Sequence, residues 1–123
     1  MSWMVEKQTT RILMDMKVKN AVIKRTFLGI EDHGMMTYFL YLEGDGWYQG
    51  FGGHCCDGIF LAESMRKVLE TLKIDSWEEL SGTYVRIEGE HSKIHRIGHI
   101  LEDRWYDITK HGKEFDNGSN KNI

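Results

Sequence analysis

The chain has 123 residues, 41% hydrophobic and 28% charged, with 16 Lys and Arg against 19 Asp and Glu for a net charge of −3. That length and composition suit a single globular domain able to fold on its core without metal or disulfide. They exclude the basic stripe of a protein that grips a DNA or RNA polymer, and no apolar run approaches a membrane span.

Residues 1–17 carry Trp3, Val5, Ile12, Leu13 and Met16 without a strict period and read as an N-terminal extension, with Met14 and Met16 as alternative starts. No signal-peptide core is evident there, so the chain is expected in the cytoplasm. From Val18 to Ile30 β-branched and aromatic residues predict a long strand, with Val22, Thr26, Leu28 and Ile30 on one face and Ala21, Ile23, Phe27 and Gly29 on the other. Glu31 to Gly34 supply a turn. Met36, Tyr38, Leu40 and Leu42 then alternate with Thr37, Phe39 and Tyr41 in a second strand. After the turn at Glu43–Gly46, a third strand runs from Trp47 to Phe51 and completes a meander.

Beyond Asp57 and Gly58 the period becomes helical, with Leu61, Met65, Val68, Leu69 and Leu72 on one side and Glu63, Arg66, Lys67, Glu70 and Lys73 on the other. Ser76 and Glu79 match a capping box for a short second helix that Gly82 ends. Thr83–Glu88 and Ile94–Leu101 form a second hairpin, and Trp105–Ile108 a last short strand. Residues 110–123, polar and bearing glycine and asparagine, read as a flexible tail. The expected fold is therefore α+β: an antiparallel sheet, made of a meander plus a second hairpin, with one main helix and one short helix, in a domain spanning residues 18–109.

Constellations that could carry chemistry are few. Adjacent Cys55 and Cys56 cannot bridge without strain and read as free thiols. His91, His95 and His99 recur every four residues, but on a strand they spread over ~26 Å and cannot share one ion, so no metal or other cofactor is expected. The acidic pairs fall in turns or at helix starts, and neither a nucleophile elbow nor a phosphate loop is present. The informative segment is Gln49-Gly50-Phe51-Gly52-Gly53. Its glycines allow close backbone approach, and Phe51 offers either a flat face to a base or a core ring beside a tight strand exit. Trp47 and Trp105 are further aromatic candidates, Arg25, Arg66 and Arg104 are candidate donors to an anion, and Asp57 is placed to cap the main helix.

The run Lys24-Arg25-Thr26-Phe27-Leu28-Gly29-Ile30-Glu31-Asp32-His33-Gly34, followed by Gln49 to Gly53 and Asp57, resembles a phage protein family, the first anti-Thoeris sponge family. The resemblance spans roughly residues 18–108; Cys55-Cys56 departs from the family pattern. It implies a non-catalytic sponge, acting in the cytoplasm of the infected bacterial host, that sequesters glycocyclic ADP-ribose made by TIR-domain defence proteins and releases it intact on denaturation. It also implies a homo-oligomer, dimer-based and as large as a hexamer, with ligand pockets at protein interfaces, and in some members a capacity for cyclic oligonucleotides. The candidate ligand-binding residues are accordingly Arg25, Phe27, Gln49, Phe51, Gly52, Gly53, Asp57, Arg104 and Trp105. Two rival readings are a small phage enzyme that cleaves a nucleotide signal and a protein-binding phage inhibitor with no ligand.

Overall fold

The computed structural model describes residues 17–53 and 58–121. Among the described residues it is an α+β fold: six antiparallel strands in the order β3-β2-β1-β4-β5-β6 and two α-helices. The strands are β1 (Lys17–Ile30), β2 (Met36–Gly44), β3 (Trp47–Gly52), β4 (Tyr84–Glu90), β5 (Lys93–His99) and β6 (Trp105–Asp107). Helix α1 spans Gly58–Leu72 and α2 spans Ile108–Lys121. Both expected hairpins are present. Residues 1–16 of the expected N-terminal extension and the His54–Asp57 segment lie outside the described residues, while Lys17 opens β1.

Strand β1 takes part in two antiparallel pairings at once, the hairpin with β2 and a long-range pairing with β4. Its first half pairs with β4 (Lys17 opposite Gly89 through Val22 opposite Tyr84), and its second half pairs with β2 (Val22 opposite Glu43 through Ile30 opposite Met36). At the hand-over the register slips between Ile23 and Arg25, a β-bulge that inserts one extra residue. The 81–83 segment holds it there: Gly82 N–H donates to Ile23 O at 2.7 Å, Ile23 N–H to Thr83 O at 2.9 Å, and Ser81 Oγ to Lys24 O at 2.9 Å. Because side chains alternate with period two, one inserted residue exchanges the faces beyond it. This corrects the uniform alternation expected from the sequence. Ala21 and Ile23 face the core, whereas past the bulge Thr26 and Leu28 pair with the core residues Leu40 and Tyr38, and Arg25, Phe27 and Gly29 turn outward.

The core lies between the inner face of the sheet and the helices. Tyr38, Leu40, Leu42, Phe51, Val85, Ile87 and Ile97 meet Phe60, Leu61, Val68 and Leu72 of α1, with Leu80 below them, all buried. Fully burying a side chain of this size is worth ~1.5–3 kcal/mol. Helix α1 ends in a Schellman arrangement, with Ile74 N–H donating to Leu69 O and Lys73 N–H to Glu70 O while Lys73 takes the left-handed conformation at φ 58°. The expected capping box at Ser76 is reduced to a single 3-10 turn over Trp77–Glu79 in which the Ser76 side chain makes no cap bond.

The expected flexible tail is also corrected. Residues 108–121 are helical, and Asp107 is the cap, its carboxylate accepting from Lys110 N–H at 2.9 Å. Ile108, His111 and Phe115 fall on one face of α2, where Phe60 receives Phe115 edge-on at 5.3 Å and His111 at 4.7 Å between ring centroids. The domain therefore runs on through α2 and does not stop at residue 109. Among the described residues no helix is long and apolar enough to cross a membrane.

Candidate functional site

The bulge in β1 creates a row of aromatic side chains on the sheet face turned away from the helices. Register sets Arg25 opposite Tyr41, Phe27 opposite Phe39 and Gly29 opposite Thr37, and on the far side of β2 it sets Gly50 opposite Tyr41 and Gly52 opposite Phe39. Phe27 and Phe39 are tilted at 6.3 Å, Phe39 and Tyr41 stack at 6.1 Å, and the Arg25 guanidinium sits 4.1 Å above the Tyr41 ring. The three rings are half-buried and Arg25 is exposed. None of the three belongs to the core cluster or packs against it. Lys24 and Glu43 pair at 3.4 Å beside Arg25.

The glycines of the third strand serve this row directly. Gly52 and Gly53 have φ of +105° and +89°, the left-handed region that side chains disfavour. A Cβ on Gly53 would stand 2.3 Å from the Phe39 ring, and one on Gly52 would stand 2.6 Å from Tyr38 O. Gly53 N–H donates to Tyr38 O at 2.9 Å, closing the strand exit. Gly53 thus makes the bed on which the Phe39 ring lies, and Gly52 leaves room for the backbone and ring of Tyr38.

The expected site residues divide accordingly. Arg25, Phe27, Gly52 and Gly53 come together on this face. Phe51 does not: it is 1% exposed, edge-on to Tyr106 at 6.2 Å, and its ring is a core element that offers no surface to a base. Gln49 ties β3 to the β4–β5 turn, its Nε2 donating to His91 O at 3.1 Å and Glu90 O at 3.4 Å. Arg104 caps α1, its Nη2 donating to Glu70 O at 2.7 Å and its Nε to Thr71 O at 3.3 Å, where a cation suits the helix C-terminus. Trp105 stands at the other end of the sheet, between the Arg86 and Arg96 guanidinium groups at 4.8 and 4.4 Å. With Lys67, Glu70, Thr71 and Tyr106, Arg104 and Trp105 line a shallow cleft of about 270 Å³. Asp57 lies outside the described residues. Of the other candidates, Arg66 pairs with Glu70 at 2.7 Å on the surface of α1, and Trp47 packs on the core beneath Lys19.

Sequence reasoning missed Phe39, Tyr41 and Thr37. The signal was present: three successive outward positions of β2 are Thr37, Phe39 and Tyr41, where a face in water ordinarily carries charge, and only Glu43 at its end does. It also missed a buried polar chain on the inner side. Tyr38 Oη meets Ser64 Oγ at 2.7 Å, Ser64 Oγ meets Tyr106 Oη at 2.8 Å, Tyr106 Oη meets His111 Nδ1 at 2.7 Å, and His111 Nε2 meets Glu63 Oε2 at 3.2 Å. A carboxylate only accepts, so His111 Nε2–H donates to Glu63.

The strand histidines have structural partners. His95 Nδ1 bonds Thr109 Oγ1 at 2.9 Å, and His99 Nδ1 accepts from the N–H groups of Leu101 and Glu102 at 3.1 and 3.0 Å. Among the described residues no three His, Cys, Asp or Glu side chains are grouped to hold a metal ion. No protein-family model, curated protein or solved structure matches the chain.

Proposed function

We propose that this protein is a binding protein for a cyclic ADP-ribose-type nucleotide, glycocyclic ADP-ribose in the reading that the sequence resemblance implies, and that it sequesters the ligand without altering it. The observation that carries the proposal is the Arg25–Tyr41–Phe39–Phe27 row. Half-exposed rings supply stacking surface for a flat base, worth ~1–3 kcal/mol per base, and Arg25 at one end supplies charge-assisted donors for a pyrophosphate. Rings, glycines and a guanidinium recognise a ligand by shape and charge, whereas cleavage would require a nucleophile or a general base aimed at one bond.

The shape of the site supports the oligomer that the resemblance implies. Ligand sites enclose most of a small molecule's surface, and an open sheet face does so only when a second surface is laid upon it. A second subunit is the simplest such surface, in a closed symmetric assembly. The proposed setting is the cytoplasm of an infected bacterial host, where capture of the free signal alone silences its receptor.

The test is ligand recovery. Protein incubated with glycocyclic ADP-ribose, freed of unbound ligand and heat-denatured, is expected to return the intact compound stoichiometrically by mass spectrometry. Recovery of a linear or hydrolysed product would make the protein an enzyme, and recovery of nothing would leave it a protein-binding factor.

A further inference from the structure

The second half of β1 is paired on one side alone. Strand β4 leaves β1 at Val22, opposite Tyr84, and the 81–83 segment holds Ile23 and Lys24, so from Arg25 to Ile30 only β2 lies alongside. Which residues face the open side follows from the end of the hairpin. Glu31 N–H donates to Met35 O at 2.8 Å, so Glu31 directs its backbone toward β2. Backbone groups alternate sides along a strand, and the register is unbroken from Arg25 to Ile30. Arg25, Phe27 and Gly29 therefore also point to β2, and Thr26, Leu28 and Ile30 point to the open edge. Among the described residues no turn or loop backbone bonds them there.

Free edges are ordinarily blunted by short length, charge or proline. Strand β6, at one end of the sheet, has only three residues. The open edge of β1 instead carries Leu28 at 44% and Ile30 at 72% exposure, with no charge among its edge-directed residues. It is also complementary to itself. A two-fold axis through Leu28 sets Leu28 opposite the partner's Leu28, Thr26 opposite the partner's Ile30, Phe27 opposite the partner's Gly29 and Arg25 opposite the partner's Glu31. No other antiparallel register pairs all the edge-directed residues, and each such pair exchanges two backbone hydrogen bonds. The side chains agree with it. Arg25 and Glu31 have opposite charge, a favourable cross-strand pair, and Glu31, which accepts from His33 N–H at 2.8 Å, retains lone pairs for a guanidinium. Phe27 meets a residue without a side chain, as it does in its own chain, where a Cβ on Gly29 would stand 2.9 Å from Phe27 Cζ. Leu28 and Ile30 gain cross-strand neighbours in place of water.

We propose that the Thr26–Ile30 edge of β1 is an interaction surface for a second copy of this chain, paired antiparallel about a two-fold axis through Leu28, which joins two sheets into one. The same patch meets itself, as a two-fold contact requires. With the axis perpendicular to the sheet, the outward faces of both subunits lie on the same side, and the two Arg25–Tyr41–Phe39–Phe27 rows flank the axis on one surface. The contact extends that face and does not cover it. The pairing stands on the edge alone and holds whatever ligand the face takes.

Sedimentation equilibrium of the ligand-free protein at micromolar concentration is expected to give a dimer or another even-numbered assembly. Leu28→Pro removes an edge-directed N–H that the β1–β2 ladder does not use, a position where proline is tolerated. It should keep its circular dichroism and raise the subunit dissociation constant at least about tenfold, equivalent to ~1.4 kcal/mol. Glu31→Arg sets like charges opposite each other and should weaken assembly about tenfold, whereas the exchange Arg25→Glu with Glu31→Arg should restore it to within about threefold. Restoration is a result that damage to the hairpin alone cannot give, and it decides the question where Leu28→Pro does not fold. A monomeric unsubstituted protein, a folded Leu28→Pro protein with its assembly intact, or a charge exchange that does not restore assembly overturns the pairing. An extended segment of another protein as the true occupant would give the first of these results. A monomer that still binds glycocyclic ADP-ribose in calorimetry overturns the pairing and leaves the nucleotide reading. An assembly that Glu31→Arg weakens and the exchange restores upholds the pairing even where no nucleotide binds.

Discussion

The two faces of one strand, β2, treat polar and aromatic groups in opposite ways. On the inner face Tyr38 is 0% exposed, and its hydroxyl begins a chain through Ser64, Tyr106 and His111 to Glu63 in which each member has a partner. On the outer face Phe39 and Tyr41 are half-exposed, Arg25 rests on a ring instead of a carboxylate, and Thr37 has no partner among the described residues. The hydroxyls along the inner face of β2 are bonded within the chain, although Trp77 Nε1, edge-on to Tyr38, has no partner among the described residues; the outer face presents rings and a guanidinium outward. That asymmetry separates the part of the molecule that holds the fold from the part read here as its binding surface.

Substitutions should break along the same line. The largest effect is expected on the inner side from Phe51→Ala, which removes a ring at 1% exposure and should cost ~3–5 kcal/mol of stability in chemical denaturation. A binding loss in that variant would be secondary to unfolding. Next, Tyr106→Phe leaves both Ser64 and His111 short of a partner and should cost ~1–3 kcal/mol, read in the same experiment. On the outer side Arg25→Ala should change stability by no more than ~0.5 kcal/mol, because the side chain is exposed, while reducing nucleotide affinity by the ~1.5–3 kcal/mol of a charge-assisted hydrogen bond.

The smallest effect concerns pH. The Lys73 ammonium, 2.9 Å from Glu102, holds that carboxyl below the usual glutamate value against a modest desolvation, with His99 and Arg104 adding to the depression. A group depressed on folding contributes stability that is complete above its unfolded pKa and lost as pH falls through its folded one. Glu102→Gln should therefore lower stability slightly at neutral pH and flatten the acid limb of a stability-against-pH curve, the two proteins converging at low pH.

Much of the fold was legible because its periods are strong. The Met36–Leu42 alternation and the Leu61–Leu72 stripe each point to one element type, and both elements formed where expected. The bulge at Ile23–Arg25 was not legible, since nothing in Ile23-Lys24-Arg25 marks an inserted residue and the bonds that hold it come from residues 81–83, nearly sixty positions away. That one non-local event decided the faces of Arg25 and Phe27. Helix α2 was hidden for a different reason. Gly112, Asn117 and Gly118 lower intrinsic propensity, and what outweighs them is the Asp107 cap together with tertiary contacts of His111 and Phe115 on Phe60.

The candidate site was half legible for related reasons. Gly52 and Gly53 stood out as positions where backbone and ring come close, but the rings they admit are Tyr38 and Phe39 from the neighbouring strand and not the adjacent Phe51. Alternation within β3 sends Phe51 inward with Leu40, and only pairing reveals what lies on the other side. Arg104 could not have been distinguished from Arg25 by sequence. The helix carbonyls of Glu70 and Thr71 that engage Arg104 are more than thirty residues away.

The most direct test of the central claim is a calorimetric titration of glycocyclic ADP-ribose into the unsubstituted protein and into an Arg25→Ala, Phe39→Ala double variant whose circular dichroism and assembly size are unchanged. The outward row as the binding surface predicts a clear isotherm for the first and a loss of at least about a hundredfold for the second, the combined scale of one stacking contact and one charge-assisted bond. Equal affinity in the two folded proteins would contradict it.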